Sequence, residues 1–100
     1  MKTFVIYCTD KPGTEQKRLD ARDAHFAHIE AVMSELFVAG PFKDAHGTTV
    51  GSLLIVKTES AQAARAWLEK DPYYAADIWA DIAIHEFVAA AGKWIGGKIW

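Results

Sequence analysis

Lys70-Asp71-Pro72-Tyr73-Tyr74 puts a carboxylate, a proline and two aromatic rings at the place where a helix must stop. Pro72 has no amide hydrogen and biases Asp71 away from the α region, so the helical pattern that begins after Ser60 is predicted to close at about Lys70. Asp71 is thereby held at a corner, where its carboxylate can reach another element. Upstream, Ser60 is a good N-cap, and Ala61, Ala64, Trp67 and Leu68 form the inward face of this second helix. Downstream, Tyr73 to Asp77 make one more helical turn before a last strand across Ile78 to Phe87, in which Ile82 and Ile84 share a face.

Further out, Thr48 to Lys57 is a nearly continuous apolar run, a third strand that should be covered on both faces. Lys43-Asp44-Ala45-His46-Gly47 joins it as a hairpin to a second strand, Phe37 to Phe42, where Gly40 and Pro41 favour an edge or a bulge. Phe26, Ile29, Met33 and Leu36 recur at spacings of three and four and predict a first helix from Leu19 or Asp20 to Phe37 with that stripe buried. His25 falls at the flank of the stripe with Arg22, His28 and Val32. The first strand is Phe4 to Cys8, closed by Thr9-Asp10-Lys11-Pro12-Gly13. Thr14 to Arg18 belongs to a loop or to the entrance of the helix. The domain thus spans residues 1–88. The tail, 89–100, carries Trp94 and Trp100 and should pack on the domain or across a dimer.

A chain of 100 residues, 51% hydrophobic and 24% charged, makes one globular domain with one core. A net charge of -2, with no run of lysine or arginine, argues against a nucleic-acid partner. Cys8 is the single cysteine, so no internal disulfide is available and a reducing cytoplasm suits the chain. The first residues have no small-residue cleavage site, and no stretch is long enough to span a membrane. The expectation is a soluble cytoplasmic protein with no membrane partner.

The order strand, helix, strand, strand, helix, strand is the α+β, ferredoxin-like βαββαβ arrangement, a four-stranded antiparallel sheet with two helices on one face. Two helices cover one face only. The other face would leave several hundred Å² of apolar surface in water, and a two-fold homodimer packed sheet to sheet removes it by burying roughly 800 Å² per partner.

The first strand, Arg22-Asp23-Ala24-His25, Ala39-Gly40-Pro41, Gly51-Ser52-Leu53 and above all Asp71-Pro72-Tyr73, in this order and spacing, resemble the YCII-related domain proteins over about Met1 to Phe87. Asp23 stands where many relatives carry proline, and the tail runs on past the domain. The resemblance implies a dimeric α/β barrel of two ferredoxin-like protomers. It also implies an active site built on a histidine and an aspartate, which here are His25 and Asp71.

A carboxylate that accepts from one imidazole nitrogen fixes the tautomer and leaves the other nitrogen to take or give a proton. Around this dyad, Arg22, Gly40, Pro41, Ser52, Pro72 and Tyr73 are expected to bind substrate, with Arg22 and Ser52 orienting an anionic or carbonyl group. Each has a plainer alternative: an ion pair for His25, a turn carboxylate for Asp71, a surface charge for Arg22, a strand hydroxyl for Ser52 and a core ring for Tyr73. Cys8 reads as a small buried hydrophobe. His25 and His28 could share a metal with His46 or His85, but no Cys-rich or HExxH pattern supports it, so neither metal nor other cofactor is expected. No serine elbow or phosphate loop is present, and proton transfer on a small organic molecule is the economical activity. The resemblance extends this to lyase or isomerase chemistry on aromatic or lactone-like catabolites. A ligand-binding or regulatory homodimer using the same pocket is the alternative.

Overall fold

The computed structural model describes residues 1–100. Its elements are β1 (Lys2–Asp10), α1 (Glu15–Ala31), β2 (Leu36–Lys43), β3 (Thr49–Thr58), α2 (Ala61–Leu68), α3 (Pro72–Ala75), β4 (Trp79–Glu86) and a terminal ribbon of β5 (Ala91–Gly92) and β6 (Gly97–Lys98). The main sheet has the order β2-β3-β1-β4, and every neighbouring pair is antiparallel. This is the α+β, ferredoxin-like protomer.

The period-two alternation of the central strands places Phe4, Ile6 and Cys8 of β1 beside Leu54 and Val56 of β3, all buried. Ala64, Trp67 and Leu68 of α2, together with Tyr73 and Ile78, close this face into one core. Ser60 caps α2 as its position suggests, its Oγ accepting from the amide of Ala63 at 3.1 Å. Ala61, expected inward, is exposed at the first turn. No helix is long and apolar enough to cross a membrane.

One glycine is required by close approach. A Cβ on Gly51 would fall on the carbonyl oxygen of Cys8, the backbone of the neighbouring strand. Gly51→Ala must push β1 and β3 apart at their cavity end, and we expect a loss of about 2 kcal/mol or more in urea unfolding. An unchanged midpoint would show that the sheet yields there freely.

One expectation is corrected. The first helix begins at Glu15 and ends at Ala31, earlier at both ends than the stripe suggests, and a short 3₁₀ turn at Met33–Glu35 leads directly into β2. Ile29, Val32 and Leu36 do pack against the core, but Phe26 and Met33 are 55% and 54% exposed. The helix buries none of its residues fully. It stands away from the sheet, with a cavity beneath it. Within the protomer the helices cover one face of β3, and Leu53 and Ile55 on the other face are half-buried beside Val5, Tyr7, Val38 and Phe42. The tail forms a short ribbon of its own. Ala91 pairs with Lys98 and Gly92 with Gly97, while Trp94, at 85% exposure, and Trp100 stand clear of the domain.

Candidate active site

Asp71 sits between α2 and α3 with extended backbone dihedrals, φ -73 and ψ 132, and caps α3. Pro72 occupies the first position of that helix, where its missing amide costs nothing and its ring sets φ. The Asp71 side chain is buried. Its Oδ1 accepts from the Tyr73 amide at 2.9 Å and from His25 Nδ1 at 2.8 Å. A carboxylate is acceptor-only, so Nδ1 of His25 carries the hydrogen and Nε2 is the ring's free nitrogen. The other carboxylate oxygen, Oδ2, is buried without a protein partner. The imidazole lies flat on the Tyr73 ring, centroids 3.8 Å apart and planes within 9°.

His25 lines a cavity of about 660 Å³ between α1 and the β2–β3 half of the sheet. Its apolar wall includes Leu19, Phe26, Ile29, Pro41 and Leu54, and its polar wall includes Arg22, Lys43, Thr49 and Ser52. A space of this size and lining suits a small organic molecule held by a few polar contacts.

Of the residues expected to bind substrate, Arg22, Gly40, Pro41, Ser52 and Tyr73 line this cavity. Pro72 is not among the lining residues. It supports the corner from the first turn of α3. The Ser52 hydroxyl is already engaged, accepting from Arg18 Nη2 at 2.9 Å, which leaves its own proton to donate. The four histidines do not converge. His28 is half-buried near Trp67, His46 lies in the β2–β3 turn and His85 projects from the open sheet face.

Arg18 and Asp10 are the residues that sequence reasoning missed. Arg18 donates to both oxygens of Asp10, Nε to Oδ2 at 2.7 Å and Nη2 to Oδ1 at 2.9 Å, and its guanidinium lies 5.0 Å from the centre of the Tyr73 ring. The signal was present. Arg18, Arg22, His25 and Ile29 are spaced four, three and four, which is one face of a helix, but the face is visible only if the helix starts at Glu15.

The electrostatics follow burial and these neighbours. Burial pushes the Cys8 thiol up to about 12, assisted by the negative charges of Asp71 and Asp10. A thiol so held is inert packing, not a nucleophile. Burial also raises the Tyr73 phenol above its ordinary value, against the pull of the Arg18 charge. For Arg18 itself burial opposes the charge, but the hydrogen bond and charge of Asp10 prevail and the guanidinium stays protonated.

Residues 2–88 match the YCII-related domain model. Among curated proteins, the chain is 38% identical over 93 residues to Protein YciI of Escherichia coli, covering 84% of this chain and 94% of that one. It is 34% identical over 92 residues to an uncharacterised protein of Haemophilus influenzae, with the same coverage. Among solved structures, it resembles the 5-chloro-2-hydroxyhydroquinone dehydrochlorinase TftG of Burkholderia phenoliruptrix AC1100, in complex with 2,5-dihydroxybenzoquinone. The TM-score is 0.79 at 33% identity, covering 91% of this chain and 96% of that one.

Proposed function

Because the chain belongs to the YCII-related domain family, we propose that it is a small enzyme that moves a proton on a ring-shaped organic metabolite, with His25 as acid and base and Asp71 as its orienting partner. The hydrogen bond between His25 Nδ1 and Asp71, at the wall of the cavity, carries the reading. The bond holds the tautomer, the stacked Tyr73 ring holds the plane, and Nε2 is left for the substrate.

The likeness to TftG supports a small-molecule enzyme and supplies a reaction to test. Loss of hydrogen chloride from a chlorinated hydroxyhydroquinone removes one proton and one chloride and needs no outside oxidant. His25 would give a proton to the ring carbon that bears chlorine, and two ring hydroxyls would each lose a proton, one back to His25 and the other to solvent, as chloride leaves. The first hydroxyl's electrons form one carbonyl as the new carbon–hydrogen bond is made, and the second's form the other carbonyl as the carbon–chlorine bond breaks. Arg22, Ser52 and the strand edge at Gly40 and Pro41 would hold the ring oxygens. The test is chloride release from 5-chloro-2-hydroxyhydroquinone by the whole chain. No release, together with tight binding of 2,5-dihydroxybenzoquinone, would instead favour a binding protein.

The working form in this proposal is a homodimer packed through the open sheet face, with the 89–100 arm reaching the second copy. Trp94, Ile99 and Trp100 are exposed on a segment without acidic residues, and burying even one such side chain is worth about 1.5 to 3 kcal/mol. Deleting residues 89–100 should therefore weaken the dimer by roughly tenfold or more in sedimentation equilibrium. An unchanged dissociation constant would assign the arm no part in the dimer.

A further inference from the structure

We infer that Arg18, clamped by Asp10, is a positioning residue that fixes the plane of the His25 imidazole through the ring of Tyr73. The inference rests on the proposed role of His25 for its catalytic consequence, but its structural half stands without it.

Arg18 and His25 are seven residues apart on α1, about two turns and roughly 10.5 Å of rise. One ring touches both of them. Tyr73 is stacked under the imidazole at 3.8 Å and carries the guanidinium 5.0 Å from its centre, while Trp79 meets it edge-on at 6.3 Å. The Tyr73 ring is thus confined on several sides, and it in turn limits the imidazole to the single plane in which Nδ1 meets Asp71. Without the guanidinium, Tyr73 gains freedom toward the cavity and the imidazole loses its support.

The chemistry of Arg18 argues for this role over simple stability. Its side chain is 13% exposed and that of Asp10 6%, so both charges have lost most of their hydration. Buried ion pairs commonly do no better for stability than an apolar pair of similar volume. Yet four acceptors gather on one edge of this guanidinium, around Nε and Nη2. It donates to the two Asp10 oxygens, to Ser52 Oγ and, at 3.3 Å, to the Gly51 carbonyl. A planar fork with fixed donors can join β1, β3 and the Tyr73 face at once, and a lysine cannot. Arg18 touches Asp10 and Tyr73 but contacts the reacting imidazole only through the ring, so it acts at one remove.

The test reads His25 directly. In the ligand-free chain, the carbon-bound ring protons of His25 should resonate upfield because they sit over the Tyr73 face, and Tyr73→Leu gives their unstacked position. Arg18→Met is expected to move them most of the way to that position, and Arg18→Lys part of the way, with thermal melting still cooperative. If Arg18→Met does not fold, Asp10→Asn, which releases the clamp and keeps the arginine, takes its place with the same expectation. With 5-chloro-2-hydroxyhydroquinone, Arg18→Met should lower kcat by about 10²-fold and change KM little, the pattern of a misaligned group. His25 signals that coincide with those of the parent would overturn the inference. So would a rise in KM at constant kcat with unmoved signals, which would make Arg18 a ligand contact. A parent chain inactive on this substrate would count against the reaction, while the His25 signals would still decide the positioning role.

Discussion

Replacing His25 by asparagine is expected to lower chloride release from 5-chloro-2-hydroxyhydroquinone by on the order of 10² to 10⁴-fold, the usual share of a general acid or base, while 2,5-dihydroxybenzoquinone still binds. Asparagine is chosen because its amide nitrogen falls where Nδ1 of the imidazole now donates to the buried Asp71 oxygen at 2.8 Å. Alanine would leave that carboxylate with only the Tyr73 amide, and the cost of an underpaired buried charge, several kcal/mol, would blur catalysis with folding. Binding and turnover therefore separate cleanly in the asparagine variant. Stopped-flow chloride assay and calorimetric titration of the quinone measure the two. Turnover equal to that of the parent would remove His25 from the mechanism, and equal loss of binding would make it a ligand contact.

The second large effect concerns assembly. Tyr7 is 49% exposed near the middle of the open sheet face, packed at a tilt against Phe42 with centroids 4.7 Å apart and flanked by Leu53 and Ala83 on the adjoining strands. In a two-fold packing of this face, a glutamate at position 7 would bury a charge on each subunit near its twin. Like charges so placed cost several kcal/mol, and each 1.4 kcal/mol is tenfold, so Tyr7→Glu should weaken the dimer by about a thousandfold. Light scattering across micromolar concentrations should report a dimer for the parent and a monomer for the variant. A parent that is monomeric throughout would refute the sheet-to-sheet assembly. Because Tyr7 projects from the face opposite the core, the isolated protomer should keep its fold.

The legible part of this protein was local. Pro72 ends one helix and begins another, Ser60 caps α2, and the alternation in β1 and β3 separates Phe4, Ile6 and Cys8 from Val5 and Tyr7; these follow from properties of single residues and their nearest neighbours in the chain. The first helix was harder to bound. Its apolar spacing reads through Met33 and Leu36, but Leu36 to Lys43 finds its hydrogen bonds on β3, and a ladder of tertiary contacts outweighs a weak local preference. Placing the helix start four residues late also hid Arg18.

What the sequence by itself determined is the element order, the apolar face of each strand, and the corner that holds Asp71. Those choices depend on backbone sterics and side-chain period, which act over a few residues. Only the tertiary structure decided that α1 stands off the sheet above a cavity, that Asp10 and Ser52 meet on one guanidinium, and that the Trp-bearing arm leaves its own domain bare. Burial, ion pairing and stacking join groups from different elements, so their outcome depends on how all the elements pack together and not on any one stretch.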